Sequence, residues 1–344
     1  KKFFFKKINF QKNSCRITAM QTELSSLHFL NDLNKEQSEA VTLNDQSALI
    51  LAGAGSGKTR VLTSRISWLI HNQITSPGSI LAVTFTNKAA KEMMLRITSQ
   101  LPINTRGMWV GTFHGLCNRF LRTHHQDAHL PETFQILDSQ DQLSAIKRLM
   151  RSSNIDEENF PPREVQYFIN ANKEIGLRSQ NVKTYDAHTS KINEIYLNYE
   201  KQCQKEGVVD FAELLLRCYE LFKKNQPILE HYQDRFKHIL IDEFQDTSEL
   251  QYKWIKLLVG QNNSVFAVGD DDQSIYSFRG ARVSNMKDLQ KDFHIKKVIK
   301  LEQNYRSKNN ILNAANAIIN NNDNRLGKKL WTAAGDGDLI RKYV

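Results

Sequence analysis

The chain has 344 residues, 40% hydrophobic and 24% charged, ordinary proportions for a soluble globular protein long enough for two or more cores. Its net charge is +10, but residues 1–19 alone carry +6 (Lys1, Lys2, Lys6, Lys7, Lys12 and Arg16, with no acid), so overall basicity by itself does not point to nucleic acid. No apolar run approaches the roughly 20 residues of a membrane-spanning helix, so no membrane partner is expected. Cys15, Cys117, Cys203 and Cys218 lie far apart without CxxC spacing and read as reduced cytoplasmic thiols.

Residues 1–19 differ from the rest of the chain. "KKFFFKKINF" is basic, and its aromatic run is too short for the core of a signal peptide. The segment reads as a basic N-terminal extension, with Met20 as the natural start. "SALILA" (47–52) is a short apolar strand, followed by "GAGSGKT" and by Val61, Leu62, Ile66, Leu69 and Ile70 at helical spacing. "ILAVTF" (80–85) is a second strand, and Ala90, Met93, Met94, Ile97 and Leu101 mark the helix after it. "MWVGTF" (108–113) is a third. Continuous apolar strands alternating with helices predict a parallel sheet covered on both faces.

From about 116 to 236 the pattern is helical. An S-x-x-Q box at Ser139–Gln142 and the pair Pro161–Pro162 predict helix starts. Ile192, Ile195, Tyr196, Tyr199 and Cys203 form one stripe, closed by Gly207, and "FAELLLRCYELF" (211–222) is a further helix. Strands return with "HILIDE" (238–243), "SVFAVGD" (264–270) and "VIKLEQ" (298–303). The expected architecture is one α/β domain split by a helical insertion of roughly 120 residues.

The chemistry sits at the strand ends. "AGAGSGKT" (52–59) matches the phosphate-binding loop, with Ala52 where glycine is usual. Gly53, Gly55 and Gly57 let the backbone through Ala54 and Ser56 turn its N–H groups inward around phosphate oxygens. Lys58 can reach the outer phosphates, the Thr59 hydroxyl can bind Mg²⁺, and the helix start adds its positive dipole end. In "ILIDEFQD" a buried strand ends in Asp242, suited to holding Mg²⁺, and Glu243, suited to taking a proton from the attacking water. In "GDDDQSIYSFRG" (269–280), Asp270 to Asp272 form an acidic run of a kind that normally stays in water. Gln273 comes next, a neutral amide able to hydrogen-bond the terminal phosphate. Tyr276, Phe278 and Arg279 are what unstacked bases require, although on residue type alone the rings fit a core equally well.

"LNKEQSEAV", "AGAGSGKTR", "TFTNKAAKEM", "WVGTFHG", "LIDEFQD", "GDDDQSIYSFRGA" and "LEQNYRS" occur in this order. "FQILDSQDQL", "VDFAELLLR" and "NRLGKKLW" lie between or after them. Together they resemble the UvrD/Rep/PcrA-type superfamily 1 DNA helicases, from about Leu33 to Trp331. The resemblance implies a P-loop NTPase (RecA-like) fold. It places a first motor domain at 20–115 and 237–303, a helical insertion domain at 116–236, and the start of a second motor domain at 304–344.

It also implies an ATP- and Mg²⁺-dependent 3′-to-5′ helicase of DNA repair, acting on single-stranded and partly duplex DNA. Gln37 and Tyr305 would hold adenine, Arg60 would lie against the nucleotide, and Arg306 would reach the γ-phosphate. Phe85, Asn87, Thr112, His114, Tyr276, Phe278 and Arg279 would line the path of single-stranded DNA. Where the family commonly has "YGWRG" this chain has "YSFRG", a smaller stacking surface. The family's second motor domain normally continues beyond the counterpart of "LGKKLW". The chain is therefore expected to be an N-terminal fragment that binds nucleotide, hydrolyses it poorly and does not unwind. The alternative is a nucleotide- and single-strand-binding module.

Overall fold

The computed structural model describes residues 28–276, 280–282, 284–322 and 325–341. Among these residues are eight strands: β1 (Ala48–Ala52), β2 (Ile80–Thr84), β3 (Trp109–Thr112), β4 (Gln135–Leu137), β5 (Val208–Asp210), β6 (His238–Ile241), β7 (Ser264–Gly269) and β8 (Lys297–Leu301). Six of them form one parallel sheet in the order β3-β2-β6-β7-β1-β8. Every strand of "SALILA" type is apolar throughout because alternate side chains enter two cores. Leu49 and Leu51 of β1 point into one cluster, and Ala48, Ile50 and Ala52 into the other.

The second of these cores is closed by α1 (Lys35–Val41), α2 (Lys58–His71) and α3 (Asn87–Gln100), which contribute Ala40, Val61, Ile66, Met93 and Ile97. The opposite face is covered by α4 (Phe113–Thr123) and by helices from the later part of the chain. Those are α8 (Phe211–Lys224), α9 (Gln226–Arg235) and α10 (Glu249–Leu258), and they share an aromatic core built on Trp109, Phe120, Phe222, Tyr232 and Trp254. A third, separate core joins α5 (Ser139–Ser152), α6 (Pro162–Glu174) and α7 (Ala187–Glu206) through Ile146, Val165, Ile169, Ile195 and Tyr196.

Two local expectations change. The cap of α5 is Asp138, not Ser139: its carboxylate accepts from the Gln140 and Asp141 amides, and Asp141 returns the bond. The 116–236 stretch is also not purely helical, since β4 and β5 pair in parallel within it. Strands of three residues are too short to show a period of two. Gly207 does end α7, at φ 66°.

A candidate nucleotide and nucleic-acid site

All six parallel strands deliver their carboxyl ends to one edge of the sheet, the usual ligand edge of an open α/β sheet. Ala52 closes β1, and the loop Gly53–Gly57 turns back over that edge. Gly55 and Gly57 adopt left-handed φ values of 67° and 91°. The Ser56 hydroxyl donates to the Gly53 carbonyl at 2.7 Å, tightening the loop. Lys58 begins α2, and its Nζ lies 3.1 Å from Glu243 Oε2.

Asp242 comes directly after β6, and its backbone N–H donates to the Val83 carbonyl at 2.9 Å, continuing the sheet by one bond. It is 2% exposed. Burial, aided by the neighbouring Glu243 charge, raises its carboxyl to about 7, against smaller opposing effects from Lys58 and a hydrogen bond with the Thr59 side chain. Glu243 holds φ 49°, a left-handed conformation costly for a side-chain-bearing residue, and its N–H donates to Asp242 Oδ1. That turn aims one carboxylate at Thr59 and the next at Lys58. Burial and Glu243 likewise raise Asp246 to about 6, and among the described residues Asp246 Oδ1 is buried without a donor.

Three carboxylates, Asp242, Glu243 and Asp246, thus surround one ammonium. The excess negative charge and the adjacent Thr59 and Asp242 oxygens suit a hard divalent cation such as Mg²⁺. Those two residues would hold it, and Lys58 would be left for phosphate.

The carboxyl end of β7 stands next to β1, with Gly269 opposite Leu51. A hydrogen-bond chain joins it to the loop lysine. Gln245 Nε2 donates to Glu243 Oε2 at 2.9 Å, its Oε1 accepts from the Asp270 amide at 2.8 Å, and Gln273 Nε2 donates to Asp270 Oδ2. Gln273 is therefore tied to Lys58 through Asp270, Gln245 and Glu243. The acidic run does not stay in water. Asp270 is buried, and the side chains of Asp271 and Asp272 are 3% and 10% exposed. Lys328 contacts all three, and Arg325 forks onto Asp272. Sequence reasoning missed both cations. "NRLGKKLW" was legible only as a stretch of family likeness, and nothing local announces a partner more than 50 residues away.

At the other edge of the loop, Gln37 is buried and donates to the Ser56 carbonyl at 2.8 Å, while its Oε1 accepts from the Asn34 amide in a capping box. Asn34 Nδ2 also donates to the Tyr305 hydroxyl at 2.9 Å, which sets Tyr305, half exposed, on the same side as Gln37. The Tyr305 amide donates to the Gly55 carbonyl and Asn304 Nδ2 to the Ala54 carbonyl. Arg306 is exposed beside the loop: a Cβ added at Gly55 would lie 2.6 Å from its Cβ. Arg60 pairs with Asp32 at 3.2 Å on the surface.

A cavity of about 490 Å³ opens between the sheet edge and helices α5, α6 and α8. Phe85, Thr112, His114 and Tyr276 line it, together with Asp246 and Phe211. Burial lowers His114, so it is neutral at pH 7. Asn87 is exposed in the first turn of α3 and is not among the lining residues. Phe278 and Arg279 lie outside the described residues. Asp246 belongs to both places, touching Glu243 electrostatically and forming part of the cavity wall.

The UvrD/REP helicase N-terminal domain matches residues 33–294, and the UvrD-like helicase C-terminal domain matches 299–343. The chain belongs to the UvrD/Rep helicase family. It is 53% identical to DNA helicase II of Escherichia coli K12 over 317 residues, 92% of this chain and 44% of that protein. It is 44% identical to a probable DNA helicase II homolog of Rickettsia conorii, over 91% of this chain and 48% of that protein. Against the ATP-dependent DNA helicase PcrA of Staphylococcus epidermidis the identity is 42%, over 91% and 43%. The chain thus spans less than half the length of these curated relatives. Among the described residues, no helix is long and apolar enough to cross a membrane.

Proposed function

We propose that this chain carries the ATP- and Mg²⁺-binding motor of a UvrD-type helicase, and that the cavity beside it takes single-stranded DNA. The observation that carries the reading is the joint placement of Lys58, Thr59, Asp242 and Glu243, from two strand ends far apart in the chain, around one phosphate loop. Lys58 binds and neutralises the outer phosphates. Mg²⁺, held by Thr59 and Asp242, supplies charge stabilisation there. Glu243 orients water and accepts its proton. Arg306 and Gln273 meet the terminal phosphate, and Gln37, Arg60 and Tyr305 meet the base and sugar side. Tyr276 and Phe278 stack on bases, with Phe85, Asn87, Thr112, His114 and Arg279 along the strand.

In the whole protein this motor would drive 3′-to-5′ translocation and unwinding of partly duplex DNA in cytoplasmic DNA repair. We assign 20–115 and 237–303 to the first motor domain, 116–236 to the insertion and 304–344 to the beginning of the second. The separate core of α5, α6 and α7 supports an insertion, whereas α8, α9 and most of α4, within the same bounds, share the core of the sheet.

The second reading keeps the binding and drops the unwinding: a nucleotide- and single-strand-binding module. A fluorescent ATP analogue should bind this chain only with Mg²⁺, and oligo(dT) should bind in competition with other single strands. Binding indifferent to chelation of Mg²⁺ would sink the metal assignment. Phosphate release stimulated by oligo(dT), even slow, decides for the motor in this chain. Since slow hydrolysis is expected of it, the module reading needs the absence of any stimulation in the full-length protein with both ligands bound.

A further inference from the structure

The buried acidic run at the end of β7 has a feature that the motor reading does not use. The carboxylates of Asp270, Asp271 and Asp272 converge within 4.8 Å of one another. Left alone, three like charges at that spacing repel each other and any phosphate nearby. Their centre is filled by the Lys328 ammonium, which reaches Asp271 Oδ1 at 2.8 Å, Asp272 Oδ2 at 2.6 Å and Asp270 Oδ1. Arg325 binds Asp272 at two points, 2.7 and 2.8 Å, and the Leu326 amide donates to Asp271 Oδ2 at 2.6 Å. An ammonium already occupies the position that a metal would take.

The same segment also reaches the phosphate loop. A Cβ added at Gly53 would lie 2.2 Å from Leu330 Cδ2, so the Leu330 side chain rests directly on that glycine. The Lys329 amide donates to Glu302 Oε1 and the Trp331 amide to the Glu302 carbonyl. Residues 325–331 are therefore a strap fastened at one end to the acidic turn and at the other to the loop and the end of β8. Asp270 divides its carboxylate between them, with Oδ1 on Lys328 and Oδ2 on Gln273 Nε2.

We propose that Lys328 is a positioning residue for Gln273: by fixing the Asp270 carboxylate it sets where the Gln273 amide stands relative to a terminal phosphate. Burial alone would lower the Lys328 pKa, but Asp270 and its two neighbours hold it above the ordinary value, so the clasp is charged at neutral pH. The inference rests on the reading that Gln273 senses the third phosphate of a nucleoside triphosphate. Lys328 touches no nucleotide itself and acts through Asp270.

The readout is the ratio of affinities for a non-hydrolysable ATP analogue and ADP, measured by fluorescence titration with Mg²⁺, alongside thermal melting. Q273A should cut this ratio about tenfold, as expected for one lost hydrogen bond to a charged group. K328M should cut it by a similar factor while leaving ADP affinity within about twofold. The double variant should be no worse than Q273A, because Lys328 works through that residue. An unchanged ratio in Q273A overturns the underlying reading of Gln273, whatever K328M does. A reduced ratio in Q273A with a normal ratio in K328M overturns the Lys328 inference alone. Additive losses in the double variant also overturn it, since they would mean that Lys328 acts on the phosphate independently. Equal loss of both nucleotides in K328M would reduce Lys328 to a structural pin. Should K328M fail to fold, K328M/D271N removes one carboxylate with the ammonium, keeps the net charge of the cluster and the Arg325–Asp272 pair, and carries the same comparison.

Discussion

Two of the buried charge clusters among the described residues are built on opposite rules. In the insertion, Lys173 meets Asp210 at 2.7 Å and Glu213 at 3.0 Å. Arg178 meets Glu213, Glu200 and Glu220, and Arg217 closes on Glu213. Every carboxylate there has a cation, and the Tyr199 hydroxyl donates to Asp210 as well. Burial opposes ionisation, but the paired charges win: Lys173 and Arg178 are pushed up and Glu213 is pushed down. At the phosphate loop the pairing is left short. Asp242 and Asp246 are raised to about 7 and about 6 by burial and by the Glu243 charge, which Lys58 offsets only in part. A saturated cluster fixes helices to one another, whereas an undersupplied one holds a standing demand for positive charge that a ligand can meet.

Breaking the saturated cluster should give the largest effect. Asp210→Ala leaves the buried Lys173 ammonium with Glu213 as its one carboxylate partner, removes the acceptor of the Tyr199 hydroxyl and uncaps α8, and should cost about 3–5 kcal/mol in urea unfolding. A loss below about 1 kcal/mol would mean that water reaches Lys173.

The undersupplied cluster should respond in the opposite sense. The native state binds a proton at Asp242 more tightly than the unfolded chain does, since its pKa rises from 3.8 to about 7. Without divalent cation, the stability contributed by this group should therefore be lost as pH climbs through that interval. Asp242→Asn should flatten that slope and stabilise the metal-free chain at pH 8 by up to about 4 kcal/mol. Mg²⁺ should stabilise the parent and not the variant, which differential scanning calorimetry can follow.

Lys58→Ala separates the clusters further. It should weaken Mg²⁺-nucleotide binding by about 10–100-fold while lowering urea stability by clearly less than Asp210→Ala, because the carboxylates it leaves can take up protons. A large stability loss would place Lys58 with the scaffold instead. A similar or smaller effect is expected at the cavity. Tyr276→Ala should cost about 1–3 kcal/mol in single-strand affinity at fixed salt, and unchanged affinity would return Tyr276 to a packing role. Phe278→Ala tests the neighbouring ring in the same way.

Much of this was legible along the chain because it is local. A strand, three glycines and Lys58-Thr59 specify a phosphate loop over a short stretch, and the apolar run Ile239–Ile241 ending in Asp242-Glu243 specifies a strand edge. Gly207 and the stripe from Ile192 to Cys203 set α7 in the same way. Other features were not legible. Whether Tyr276 belonged to a core or a groove could not be read from residue type. The cap on α5 shifted by one residue because an aspartate outcompeted the serine beside it. Gln37 turned out to support Ser56 through a bond that no spacing reveals.

The order of the motifs therefore determined the sheet, the loop and the family, since each depends on residues close in sequence and on backbone geometry that glycine, β-branched and acidic residues impose locally. Which buried charges are satisfied, and by whom, was decided only in three dimensions. Lys328 among Asp270, Asp271 and Asp272, like Lys173 between Asp210 and Glu213, depends on distance and desolvation, and the energy of a charge pair carries no trace of the sequence separation that produced it.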